Sequence, residues 1–233
     1  MLATNNATKT AAMYTDRLAR FGVDVPPAQI LTSSEATASY LAEQYPPGAA
    51  AYIIGAQGLY DAITAHGFQT ITAPDVRGGA TAAFVVVGLS SAVTYEELAM
   101  ASLLVQRGVP FIGTNPDPTY PSEWGPLPGA GALLAVISTA TGIQPTIIGK
   151  PGPIVFQEAI KRLGGDVTGV AMVGDRLSTD IYGAKAAGLR AILVLSGIST
   201  REEADAGPVR PDYIFADITE LAEFLTGEPI LER

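Results

Sequence analysis

A recurring order of apolar run, loop and amphipathic segment restricts the fold of this chain more than any other feature. "AAYIIG" precedes "GLYDAITAHG", "AAFVVVG" precedes "TYEELAMASLLVQRG", "PTIIGK" precedes "IVFQEAIKRLG", and "VAMVGD" precedes "TDIYGAKAAG". "PFIGTN", "RAILVLSG" and "DYIFADI" complete the strand-like runs, the last leading into "TELAEFL". Strands alternating with helices predict an α/β fold of parallel sheets covered by helices. The runs are continuously apolar, which predicts strands buried on both faces. At 233 residues, 48% of them hydrophobic, the chain can build one large core or two smaller ones.

Ligands in such folds bind at the carboxyl ends of the strands. The strand-end loops are "TNNAT" at 4–8, "GAQG" at 55–58, "GTNPD" at 113–117, "GKPGP" at 149–153, "GDRLSTD" at 174–180 and "SGIST" at 196–200. Three of them hold what phosphate chemistry needs. Thr4 brings a hydroxyl, followed by amides that can face an anion. Lys150 brings a compact cation, and Asp175 and Asp180 bring hard oxygens suited to Mg²⁺. Each also has a plain structural reading. Thr4, Asn5 and Asn6 suit a helix N-cap, Lys150 suits a solvated lysine in a stiff turn, and Gly174-Asp175 suits a turn.

Composition narrows the remaining classes. A net charge of -9 repels nucleic acid and anionic membranes, so neither is an expected partner. With no cysteine and one histidine, disulfides, thiolate metal sites and multi-histidine sites are excluded. His66, ahead of Gly67, reads as a helix-end residue. No apolar run is long enough to span a bilayer, and "MLATNNATKT" lacks a secretion signal pattern, so the expected location is the cytoplasm.

"LATNNATKT", "GTNPDPTYP" with "LPGAG", "IGKPGP" and "MVGDRLSTDI", in that order, resemble the haloacid dehalogenase (HAD) superfamily, closest to its NagD-like and 4-nitrophenylphosphatase-like branch. The resemblance implies a Rossmann-like core at residues 1–47 and 146–233, with an α/β cap inserted at 48–145. It implies a Mg²⁺-dependent phosphatase of small phosphorylated metabolites, working through an aspartyl-phosphate. On that pattern Asp175 is the metal-ligand acid and Asp180 its supporting acid. Lys150 steadies nucleophile and phosphoryl group as a catalytic and substrate-binding residue. Thr4 binds a phosphoryl oxygen, and Asn5 and Asn6 line the phosphate pocket. The segment at 117–131 is the expected specificity loop, in which Trp124 and Tyr120 are expected to pack more than to stack on substrate. A homodimer is admitted.

The chain departs from the family at its first motif. The family opens with a strand ending in D-x-D-G, which carries nucleophile, acid/base and one metal ligand, and no D-x-D occurs in the 233 residues. A phosphatase lacking this segment is the first expectation, inactive as written. The alternatives are an inactive phosphate-ligand binding protein and an interaction protein that docks through the cap. The reading frame upstream of Met1 discriminates among them.

Overall fold

The computed structural model describes residues 1–227. The chain divides into two compact units, Met1–Ala159 and Ile160–Arg233. The first runs β1 (Leu2–Thr4), α1 (Ala11–Ala19), β2 (Ile30–Thr32), α2 (Ser33–Ala42), β3 (Ala50–Ile54), α3 (Gln57–Ala65), β4 (Gln69–Ile71), α4 (Ala73–Arg77), β5 (Phe84–Val87), α5 (Tyr95–Gln106), β6 (Phe111–Gly113), β7 (Thr119–Ser122), β8 (Gly125–Pro128), α6 (Ala130–Thr141) and β9 (Thr146–Ile147). The division between the units falls within α7 (Pro153–Arg162).

Five strands of the first unit form a parallel sheet in the order β4-β3-β5-β6-β9. Its central strands are the continuously apolar runs, and Phe84, Val85, Val86 and Val87 of β5 are all fully buried. Tyr52, Ile54, Val85 and Val87 pack with Ala101, Leu104 and Val105 of α5 and Leu134 and Ile137 of α6. Burying each such side chain contributes about 1.5–3 kcal/mol. Helix α5 starts at a reciprocal cap in which the Thr94 hydroxyl accepts from Glu97 N–H and the Glu97 carboxylate accepts from Thr94 N–H. Strands β1 and β2 pair in parallel as a separate ribbon, and α2 packs on α3.

The strands near 51, 83 and 110 do share a sheet apart from those near 170 and 191, but the strand at 146, expected with the core, joins them. Ile112 pairs with Thr146 and Gly113 with Ile147. The cause is local: Ile148 N–H donates to the Gly113 carbonyl at 3.0 Å and Gly149 N–H to the Thr114 carbonyl at 2.9 Å. The segment up to Gly149 thus continues as the partner of β6, past the expected boundary at 145.

The second unit runs β10 (Ala171–Gly174), a π-helical turn at Leu177–Ile181, α8 (Tyr182–Ala186), β11 (Arg190–Val194), α9 (Arg201–Ala206), β12 (Tyr213–Phe215) and α10 (Ile218–Thr226). Its three strands pair in parallel in the order β10-β11-β12. Strand β10 is not the buried strand expected: Ala171 and Val173 are exposed, and Met172 and Gly174 are half-buried. Among the described residues it is an edge strand; the π-helical turn lies against β10 and β11, while α8 lies on β11 and α10 on β12. Among the described residues no helix is long and apolar enough to cross a membrane.

Candidate active site

Thr4 ends β1, and the turn after it is closed by side chains. The Thr4 hydroxyl oxygen accepts from Asn6 N–H at 3.2 Å. Asn6 Oδ1 accepts from the Thr8 N–H at 2.8 Å and from the Thr8 hydroxyl at 2.7 Å. Helix α1 begins only at Ala11, and its cap is Thr10, whose hydroxyl oxygen accepts from Met13 N–H at 3.3 Å. The capping role offered for residues 4–6 therefore belongs to Thr10.

Asn5 has the densest bonding in this region. Its Oδ1 accepts from Lys150 N–H at 2.8 Å, and its Nδ2 donates to the Lys150 carbonyl at 2.9 Å and to Asp117 Oδ2 at 3.2 Å. Its main-chain carbonyl accepts from Ser33 Oγ at 2.6 Å and Asn115 Nδ2 at 2.8 Å. Four strand-end segments, those after β1, β2, β6 and β9, thus meet on one asparagine. A side-chain amide offers two hydrogens, and both are engaged within the protein. The side-chain amide of Asn5 is directed at Lys150 and Asp117.

Lys150 follows β9, and its Nζ donates to the Ala3 carbonyl at 3.3 Å. It is half-buried, so the solvated-lysine reading does not describe it. Gly149 is needed for the close approach: an added Cβ would lie 2.5 Å from the Thr114 carbonyl oxygen and 2.8 Å from Asn5 Oδ1. Asn115 and Asp117 lie in "GTNPD", one of the strand-end loops of the sequence. What the sequence lacked was any sign that "TNPD" would turn back onto Asn5: Asn115 Oδ1 accepts from Asp117 N–H at 3.1 Å, folding the loop on itself.

In the second unit, Asp175 and Asp180 flank the turn after β10. Asp175 Oδ2 accepts from Ile198 N–H at 3.0 Å, and its carbonyl accepts from Ser199 N–H at 3.0 Å. Ser199, 7% exposed, takes Leu177 N–H on its Oγ at 3.0 Å. The loop at 196–200 is therefore bonded into the Asp175 turn. Asp180 is 4% exposed, and its Oδ2 accepts from Arg176 N–H at 3.2 Å. Gly174 makes room for it, because an added Cβ there would sit 2.5 Å from Asp180 Cγ. Asp175 is the more accessible acid, and Asp180 holds the main chain that follows it.

This donor set suits some metals and not others. Among the described residues no three His, Cys, Asp or Glu side chains gather as a metal cluster, which does not fit the four-ligand demand of Zn²⁺. Mg²⁺ keeps several waters and binds through one or two carboxylates plus phosphate oxygens. Asp175, with Asp180 behind it, fits that sparser requirement.

The segment at 117–131, expected as a loop, contains an antiparallel hairpin of β7 and β8. Its base lies at Asp117, where Gly129 N–H donates to the Pro118 carbonyl at 2.8 Å and Gly131 N–H to the Asp117 carbonyl at 2.9 Å. Trp124 at its tip is 88% exposed, so it does not pack the segment as expected. The two-residue turn lifts it clear, with Ser122 Oγ donating to the Gly125 carbonyl at 2.7 Å.

Residues 1–69 match the family model for haloacid dehalogenase-like hydrolases, and residues 147–221 match that for HAD-hydrolase-like proteins. An acid sugar phosphatase of Staphylococcus aureus is 42% identical over 220 residues, which cover 94% of this chain and 82% of that one. The chain belongs to the haloacid dehalogenase-like hydrolases. Its relatives within that family are phosphatases. The 4-nitrophenylphosphatase of Thermotoga maritima superimposes with a TM-score of 0.86 at 36% identity, over 95% of this chain and 82% of that one. The glycerol phosphate phosphatase of Mycobacterium tuberculosis, solved in complex with calcium, gives a TM-score of 0.84 at 38% identity, over 93% and 63% of the two chains.

Proposed function

We propose that this chain carries the phosphate-binding and metal-binding residues of a Mg²⁺-dependent phosphatase acting on small phosphate monoesters. The observation that carries the reading is that Lys150 bonds to both residues that flank Thr4. The ammonium of Lys150 reaches the carbonyl of Ala3, and the Lys150 main chain is bonded to Asn5, the residue after Thr4. A hydroxyl after β1 and a cation after β9, the two segments tied together through Asn5, suit the non-bridging oxygens of a phosphoryl group. Phosphoryl transfer asks the protein mainly for positioning and charge neutralisation. Thr4 donates its hydroxyl hydrogen to one oxygen, and Lys150 offsets charge on another. Asp175 holds the metal and Asp180 keeps the Asp175 turn in place. Mg²⁺, when bound, supplies positive charge that lets an anionic carboxylate approach an anionic phosphate.

In this reading the ester is cleaved in two displacements. An aspartate oxygen attacks phosphorus, and the bond to the leaving oxygen breaks as a second aspartate gives that oxygen a proton. Water, giving a proton back to the second aspartate, then displaces the first from phosphorus. Both aspartates belong to a D-x-D-G strand, and residues 1–233 hold no D-x-D pair. A second reading is a phosphate-binding protein without turnover. Residues from about 48 act as a cap whose sheet extends to Ile147, and its hairpin at 119–128, with the exposed indole of Trp124, contributes to substrate choice.

Titration of the purified chain with inorganic phosphate tests the shared part of both readings. Removing one charge-assisted hydrogen bond costs about 1.5–3 kcal/mol, which is roughly 10- to 100-fold in affinity. Lys150→Ala is expected to weaken phosphate binding by that factor and Thr4→Val by less. Unchanged affinity in Lys150→Ala would remove the basis of the proposal.

A further inference from the structure

We infer that the Asn5 side chain is a positioning group and not a phosphate ligand: its amide clamps the main chain of Lys150 and so fixes where the Lys150 ammonium stands relative to Thr4. The inference rests on the phosphate reading above and adds the device that holds the site's shape.

The amide imitates one rung of a β-ladder. Oδ1 takes the Lys150 N–H at 2.8 Å while Nδ2 gives a hydrogen to the Lys150 carbonyl at 2.9 Å. The remaining hydrogen goes to Asp117 Oδ2 at 3.2 Å. No hydrogen of the side chain is then left for a phosphate oxygen. The carbonyl of Asn5 is bonded too, taking the Ser33 hydroxyl at 2.6 Å and the Asn115 amide at 2.8 Å. Ser33 is fully buried and Asn115 is 5% exposed, so the clamp is anchored on buried groups just past β2 and β6. Gly149 completes it, since any side chain there would strike Asn5 Oδ1. Asparagine fits this task where aspartate does not. A carboxylate would keep the acceptor for the Lys150 N–H but place charge against the Lys150 carbonyl and the Asp117 carboxylate.

A thermodynamic cycle tests this with inorganic phosphate as the probe. Wild type, Asn5→Ala, Lys150→Ala and the double variant are titrated, and exchange of the Lys150 amide hydrogen is measured without phosphate. Because Asn5 acts through Lys150, Asn5→Ala should lower affinity about tenfold. The double variant should bind no more weakly than Lys150→Ala. The Lys150 amide should exchange at least tenfold faster in Asn5→Ala with no ligand present, which a pure ligand contact would not cause. Additive losses, or unchanged amide exchange, overturn the inference. If Lys150→Ala binds phosphate like wild type, the phosphate reading fails, and amide exchange alone then decides whether the clamp exists. Should Asn5→Ala prove insoluble, the isosteric Asn5→Asp carries the same cycle, with the same loss of affinity expected and unchanged affinity counting against the clamp.

Discussion

Gly197→Ala probes the metal site by steric means alone. An added Cβ at this position would overlap Asp175 Oδ2 and lie 2.5 Å from Asp175 Cγ. Asp175 Cβ is overlapped as well, and ordinary contact needs about 3.5–4 Å, so turning the carboxylate is not enough: the Asp175 turn and the 196–200 loop must move apart by about 1 Å. That movement breaks the bond from Ile198 N–H to Asp175 Oδ2, now 3.0 Å. Overpacking of this kind costs about 1–3 kcal/mol, and for a chain of this size each kcal/mol lowers the unfolding midpoint by roughly 2–4 °C. The metal should suffer more than the fold. Mg²⁺ binds at about 2.0–2.1 Å in near-ideal octahedral geometry, so a ligand displaced by 1 Å is lost to it. Calorimetric titration with Mg²⁺ is expected to show at least tenfold weaker binding than wild type, with a modest fall in the unfolding midpoint. Gly169→Ala is the control, because an added Cβ there meets nothing within 4 Å. Wild-type Mg²⁺ affinity in Gly197→Ala would refute the placement of the metal at Asp175.

Two further outcomes are expected. The 233-residue chain is expected to release no 4-nitrophenol from 4-nitrophenyl phosphate above background. Turnover that Asp175→Ala abolishes would show that the attacking group lies within these residues after all. The hydrogen bond from the Lys185 ammonium, and next that from Ala191 N–H, hold the Asp212 carboxyl below the usual carboxylate range. A depressed folded-state pKa contributes stability above the unfolded-state value, and that contribution is lost as pH falls through the folded-state value. Asp212→Asn should therefore be slightly less stable than wild type at pH 7, with the gap closing in acid. A gap unchanged from neutral to acid pH by thermal denaturation would contradict this.

The α/β architecture was legible because strands such as β3 and β5 are short, apolar and bounded by helical patterns. Strand β4 was not, since "QTI" is a polar, largely exposed edge. The β7–β8 hairpin hid behind its prolines, which read as loop. Pro121 and Pro126 face each other across the ribbon, at a pair where neither residue has an N–H to give. The residues worth naming at the candidate site were legible from strand-end position and residue type. Their division of labour was not, because it depends on contacts between distant segments. Asn5 is 145 residues from the main chain it clamps, and the dependence of Asp175 on Gly197 and Ser199 spans two strands. Burial misled at β10, where an apolar run forms an edge strand with one exposed face.

Crystals of the chain soaked with Mn²⁺, as a stand-in for Mg²⁺, and inorganic phosphate test the central claim most directly. The account predicts an anomalous peak on the Asp175 carboxylate and phosphate density within hydrogen-bonding distance of Lys150 Nζ and Thr4 Oγ1, with Asn5 still bonded to the Lys150 main chain. A Mn²⁺ peak away from Asp175, or phosphate bound without Lys150 and Thr4, would contradict it.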